Sequence, residues 1–193
     1  MHILILPSWY FSRDSQEITG RMFHHLARGL REKAMDARIL YSEYSTSSPL
    51  LKKEEHEEEE GVPTWRYRQF YPPKLTKLIL TLWKNKCVGD ILDYISKEGE
   101  PDLIHAHSYL AASIASAVHQ EIGVPFIYTE RLSAFMTDSV PDHHSTLFEE
   151  IFTHAVCIKN VSNQIDNSFK VLACGWFTIS GNSQVTNNPV FRP

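Results

Sequence analysis

The sequence predicts an α/β fold, a Rossmann-like parallel sheet with helices on both faces. Three observations point to it. Short β-rich runs alternate with helical periodicity along the chain, the pattern of repeated βαβ units. The stretch over residues 101–135, PDLIHAHSYLAASIASAVHQEIGVPFIYTERLSAF, reads as strand, polar switch, helix and second strand. Each of its strands ends in polar residues, and in open α/β sheets ligands collect at the carboxyl ends of the strands.

Taken in order, residues 2–6 (HILIL) read as a buried first strand, since five apolar residues are too few for a secretory leader or a membrane span. A helical pattern follows with Ile18, Met22, Leu26 and Leu30 at four-residue steps, joined by Phe23 and Ala27. The connection over residues 7–19 is long for a βα turn. It carries Trp9, Tyr10, Phe11, Arg13 and Asp14, and Gly20 stands at the helix start. A glycine there lets a ligand reach backbone N–H groups where the helix dipole favours an anion such as phosphate. The plainer alternative is that Thr19 and Gly20 only start the helix while the aromatics pack on the sheet edge.

Residues 37–41 read as the second strand. The run KKEEHEEEE over residues 52–60 reads as a solvated loop or exposed helix end. Alternation of Trp65, Tyr67 and Gln69 against Arg66, Arg68 and Phe70 predicts a strand near a sheet edge. Residues 75–95 read as a long helix with Leu75, Leu78, Ile79, Leu82 and Trp83 on one side, flanked by Lys74, Lys77, Lys84 and Lys86. Such a face serves either the core or an anionic bilayer surface. Residues 145–154 read as a helix and 155–161 as a buried strand, with Ser162 and Asn163 as caps of a following helix. The polar, turn-rich tail from residue 181 reads as a linker, so the domain expectation is 1–180 with 181–193 leading out of it.

Composition narrows the function classes. With 42% hydrophobic residues in 193 the chain can bury a core, and a net charge of −4 gives no cationic footprint for nucleic acid. Cys87, Cys157 and Cys174 are widely spaced and odd in number, which suggests neither a disulfide framework nor a zinc ribbon and favours a reducing cytoplasm. No G-x-G-x-x-G or G-x-S-x-G is present. His105 and His107 share a strand face, compatible with metal ligation, but no third ligand stands at a fixed spacing; Asp142, His143 or His144 could supply one only in space. No cofactor is expected. Glu130, with Arg131 and Ser133 beside it, either binds sugar hydroxyls or phosphate or forms a loop-organising ion pair.

The ordered motifs carry a resemblance. PSWYFSRDSQEITGRMFHHLARGL, the 101–135 stretch, Val161–Ser162 and the NPV of Asn188, Pro189 and Val190 together resemble the amino-terminal domain of family-four glycosyltransferases of GT-B fold, in particular the bacterial polysaccharide subgroup. The resemblance covers nearly the whole chain. It implies retaining transfer from a nucleotide sugar to a glycan or lipid-linked acceptor, with the donor held mainly by a second, carboxy-terminal domain that this sequence lacks. It further implies Gly20 beside the donor diphosphate, Glu130 and Arg131 at the reacting sugar, and Tyr10, His107, Ser108 and Ser133 toward the acceptor. Arg131 stands where the family has histidine and cannot shuttle protons near neutrality. Asn187 stands where the family has proline. The expected partners are thus a nucleotide-sugar donor, the acceptor and the second domain, with no nucleic acid, in a cytoplasmic setting that admits contact with the inner membrane face.

Overall fold

The computed structural model describes residues 1–7, 9–10, 20–45, 53–70, 76–130, 145–160, 179–180 and 184–185. The fold is α/β and Rossmann-like, as the sequence predicts. The chain divides into two compact units, Met1–Ile104 and His105–Pro193.

The first unit contains β1 (His2–Leu6), α1 (Arg21–Arg31), β2 (Asp36–Ser45), β3 (Lys53–Glu59), β4 (Val62–Phe70) and α2 (Thr76–Glu98), and the strands run in the order β3-β4-β2-β1. β1 lies parallel to β2 and β2 parallel to β4, whereas β3 is antiparallel to β4. Ile3, Leu4, Ile5 and Leu6 are all buried, the continuous apolar run of a strand covered on both faces. Phe23 and Ala27 of α1 join Ile3, Ile5, Tyr10, Ala37, Ile39 and Val62 in one core cluster.

Three expectations are corrected in this unit. Met22 is 45% exposed, because the stripe of α1 that faces the sheet follows Phe23 and Ala27, one helical row away, and brings His24 into the interior instead. Residues 53–59 are a strand and not a solvated loop. The acidic run pairs residue by residue with β4, placing Glu55 opposite Arg66 and His56 opposite Trp65 in the ladder. His56 stacks on Trp65, ring centroids 4.1 Å apart. The hairpin closes through Glu60 (φ 47°) and Gly61 (φ 82°), two positive-φ residues as a type I′ connection requires. Finally, Leu82 is 49% exposed, while Cys87, Ile91 and Tyr94 are each at most 1% exposed. The covered face of α2 therefore follows an i, i+4, i+7 row in its second half. Leu75 and the side chains of Leu78 and Ile79 lie outside the described residues.

In the second unit β5 (Leu103–His107), whose first two residues belong to the first unit, is followed by α3 (Tyr109–Ile122), β6 (Phe126–Glu130), α4 (Ser145–His154), β7 (Cys157–Asn160), β8 (Ile179–Ser180) and β9 (Gln184–Val185), in the order β5-β6-β7-β9-β8. β6 and β7 are parallel, and β9 adds antiparallel to β7. Small buried residues of α3, among them Ala111, Ala112, Ala115 and Ser116, allow close packing. Ser116 Oγ donates to the carbonyl of Glu150 on α4 at 3.2 Å. Glycine at 123 takes φ 84°, and its N–H closes the helix on the carbonyl of His119. The expected strand over 155–161 is the shorter β7. Ser162, Asn163, Asp142, His143, His144, the NPV and most of the tail lie outside the described residues.

The end of α1 yields a stability prediction. The Met35 N–H bonds to the carbonyl of Leu30 and the Ala34 N–H to that of Arg31, at 3.2 and 2.9 Å. This is the paired closure that puts one residue in the left-handed region, usually glycine. Ala34 occupies that position at φ 61°. Ala34→Gly should therefore raise stability, by up to about 1 kcal/mol, read as a higher urea midpoint at unchanged slope.

Candidate functional site

Two groups of polar residues stand at strand ends, one in each unit. In the second unit the strand period of two puts Tyr128 and Glu130 on one face of β6 and Thr129 on the other. Glu130 is fully buried. Its Oε2 accepts a hydrogen bond from the Tyr128 hydroxyl and a second, at 3.2 Å, from the backbone N–H of Tyr109, the first residue of α3. A carboxylate at that point also faces the positive end of the helix dipole.

Between β5 and α3 sits Ser108, with φ 76° and ψ 159°. That region is essentially reserved for glycine and costs on the order of 1–3 kcal/mol for another residue. Its N–H donates to the carbonyl of Thr129 and its own carbonyl accepts from Ala112, both at 3.0 Å. The β6 end thus holds the β5–α3 turn from two sides, by the Thr129 carbonyl and by the Glu130 carboxylate. On β5 the rings of His105 and His107 lie 4.1 Å apart, as the shared-face reading requires. His105 Nε2 is 3.0 Å from Thr129 Oγ1, and His107 is fully buried.

Burial, and next the charge of Glu130, push the Tyr128 phenol well above its ordinary range and raise that of Tyr109 as well. Both phenols therefore stay neutral and able to donate through the physiological range. Among the described residues no group of three or more His, Cys, Asp or Glu converges to hold a metal ion. Burial pushes the Cys87 thiol up to about 12, which leaves it inert as a nucleophile.

In the first unit Gly20 is buried and takes φ 87° at the start of α1, where its carbonyl accepts the Phe23 N–H at 3.1 Å. Only glycine adopts that conformation without strain. Tyr10, beyond the end of β1, is 7% exposed. The Arg66 guanidinium lies over its ring at 4.7 Å from the centroid, and the Tyr41 ring is 6.1 Å away. The Tyr10 hydroxyl is 3.4 Å from His24 Nδ1, and His24 Nε2 is 3.5 Å from a carboxylate oxygen of Glu60.

Of the sequence-predicted residues, His107, Ser108 and Glu130 come together in the second unit, Tyr10 and Gly20 stand in the first, and Arg131 and Ser133 lie outside the described residues. Sequence reasoning did not single out Tyr109, Tyr128, His24 or Arg66. The i, i+2 spacing of Tyr128 and Glu130 was an available signal for the first pair; nothing local joins His24 and Arg66 to Tyr10. Among the described residues no helix is long and apolar enough to cross a membrane.

The family described as "Glycosyl transferase 4-like domain" matches residues 19–163, well over half of the chain. No curated protein matches significantly. Among solved structures, sucrose-phosphate synthase from Thermosynechococcus elongatus is similar with a TM-score of 0.63 at 14% identity, over 89% of this chain and 45% of that one. A UDP-forming trehalose-phosphate synthase from Burkholderia xenovorans in complex with glucose-6-phosphate gives 0.62 at 10%, over 97% and 48%. Anabaena HepE in complex with UDP gives 0.52 at 16%, over 90% and 41%. The chain spans less than half the length of each, and at these identities the likeness is one of fold.

The brace predicts a measurable cost. Tyr128→Phe leaves the buried Glu130 short of a donor and should destabilise by about 1–3 kcal/mol, whereas Ser108→Gly should stabilise by relieving the turn. Because burial raises the phenol of Tyr128 in the folded state, that state retains its proton more tightly than the unfolded one, so stability is full below pH about 10 and falls above it. Phenolate absorbance from Tyr128 should appear only together with loss of the far-ultraviolet circular dichroism; its appearance in the folded state would contradict the assignment.

Proposed function

The chain belongs to the glycosyl transferase 4-like domain family, and on that premise we propose that it forms the acceptor-binding half of a retaining glycosyltransferase acting in polysaccharide synthesis. The observation that carries the reading is the β5–α3 turn. A non-glycine residue is held there in a glycine conformation by a buried carboxylate, at the end of a Rossmann-like sheet where ligands bind.

In this reading an acceptor hydroxyl attacks the anomeric carbon of a nucleotide sugar, the bond to the diphosphate breaks, and the nucleotide diphosphate leaves with the electron pair and takes up the hydroxyl's proton on a phosphate oxygen. Gly20 serves the leaving group through backbone N–H groups at the start of α1, which need no side chain. Tyr10, His107, Ser108 and Ser133 contact the acceptor, a glycan or lipid-linked sugar. Glu130 acts from behind, since its buried carboxylate sets the turn that presents Ser108. Arg131, always charged, holds a phosphate or sugar hydroxyl and takes no part in proton transfer. A second, carboxy-terminal domain supplies most of the donor site, and the setting is the bacterial cytoplasm, at the inner membrane face when the acceptor is lipid-linked. Support comes from the family match and from relatives of like fold solved with UDP and with glucose-6-phosphate.

Arg131, where the family has histidine, favours a second reading, a non-catalytic module that holds a glycan or pairs with another chain. Both readings predict sugar binding without turnover by these 193 residues. Titrating the isotope-labelled chain with glucose 6-phosphate should shift the resonances of Ser108 and its neighbours, while UDP-glucose binds no tighter than about millimolar, about −4 kcal/mol. Transfer from UDP-glucose by this chain alone at an ordinary turnover of about 10 per second would overturn both. In the two-domain protein, Arg131→His should raise transfer under the module reading and lower it if Arg131 already serves the reaction.

A further inference from the structure

A second polar cluster of the first unit lies at the amino ends of its parallel strands, away from the carboxyl ends where ligands bind. His2 opens β1, Asp36 opens β2 with Arg38 two residues on, and Asp102 immediately precedes β5. The last turns of α2 bring Tyr94 and Glu98 onto this group. Arg38 donates to both carboxylate oxygens of Asp36 at 2.8 to 3.1 Å, and through Nη1 to Glu98 at 3.0 Å and to the Tyr94 oxygen at 3.4 Å. The Tyr94 oxygen is also 2.8 Å from His2 Nε2.

Donor capacity fixes where the hydrogens lie. Arg38 can only donate, so it occupies a lone pair of the Tyr94 oxygen and leaves the hydroxyl hydrogen to point elsewhere. Tyr94 is fully buried, and a buried hydroxyl hydrogen needs an acceptor. Among the described residues that acceptor is His2 Nε2. The neutral ring therefore carries its own hydrogen on Nδ1. A proton added to Nε2 turns this acceptor into a donor, so the Tyr94 oxygen faces two donors and its hydrogen loses its place.

The surroundings of the ring act in the same sense. Burial, and next Arg38, hold His2 below its ordinary value of 6.5, while Asp36, the Glu100 carbonyl and Asp102 pull the other way and are outweighed. Asp36 and Glu98 are already paired with Arg38, and Arg31 of α1 reaches Asp36 at 3.2 Å. Asp102 accepts the backbone N–H of His2 and stands 4.0 Å from the Met1 amino group. From β4 the neutral Trp65 ring packs on Tyr94 and beneath Arg38, and His56 of β3 stacks on Trp65.

We propose that His2 is a pH-sensitive latch, which holds the end of α2 on β1 while its ring is neutral and releases that end when Nε2 takes a proton. The closed latch binds the proton less readily than the opened one. Closure is therefore complete above about pH 6.5 and weakens as the pH falls below it. The device is independent of the sugar-transfer reading.

In long-range proton–nitrogen spectra of the 193-residue chain at pH 8, His2 should be the Nδ1–H tautomer, and its titration midpoint should lie below 6.5. Hydrogen-exchange protection of the amides of residues 91–98 should fall severalfold between pH 7.5 and 5.5, by up to about tenfold, while that of α1 stays within about twofold. His2→Gln gives Tyr94 a carbonyl oxygen that does not titrate, and should remove the pH dependence. Tyr94→Phe deletes the hydrogen bond to the neutral ring, and should raise the His2 midpoint. An Nε2–H tautomer at pH 8, or a midpoint at or above 6.5, would overturn the latch from the wild-type chain alone. Protection over residues 91–98 that ignores pH, or that falls as far in His2→Gln as in wild type, would also overturn it. So would an equal fall in α1, which would mean unfolding of the whole unit, or a midpoint unmoved by Tyr94→Phe.

Discussion

The second unit depends on one buried negative charge. A carboxylate taken out of water is costly unless hydrogen bonds and a favourable field replace its hydration. Glu130 has these in the Tyr128 hydroxyl, the Tyr109 N–H and the start of α3. Those partners belong to β6 and α3. The turn between β5 and α3 is therefore determined by its surroundings, which is what allows Ser108 to remain in a conformation that its own side chain disfavours. Tyr128 and Tyr109 stay protonated chiefly because both are buried, and next because ionising either would put a second negative charge beside the first.

The first unit solves its corresponding problem without strain. Gly20 has no Cβ to object to φ 87°, so α1 begins directly from a left-handed residue and needs no buried charge to hold it there. The unit's unfavourable choices lie further along, at His24 and Glu60. Core packing in the two units follows ordinary rules, with Phe23 and Ala27 over one sheet and the small-residue face of α3 in the other.

Most of the architecture was legible in the sequence because parallel βαβ units write themselves in period and composition. HILIL reads as a short covered strand, and residues 101–130 form the strand, helix and second strand that the sequence predicts, with Glu130 inside the second strand and not beyond it. The errors have physical causes. Met22 was placed inward by a four-residue step that drifts off the true stripe, and the acidic run was read as loop because strand propensity is low for glutamate, although the cross-strand partners in β4 override it. In the sequence, strand-end position singled out His107, Ser108 and Glu130 as candidates. It did not disclose that Glu130 faces inward, because the partner that turns it inward is a backbone N–H, which every residue possesses. His24 and Arg66 were illegible for a different reason: their meeting with Tyr10 is made by sheet order, not by spacing along the chain.

The acidic strand β3 has a consequence beyond its hairpin. Among the described residues it is the outermost strand of its unit, and its KEEHEEE carries five glutamates. Another molecule offering a strand to that open ladder would find hydrogen-bond partners only by packing itself along a line of like charge. A second copy of β3, the most available candidate in a crowded solution, is the worst fit of all. Charged residues along an edge strand are one of the ways in which sheets are kept from growing, and the stretch that looks least structured in the sequence has that composition.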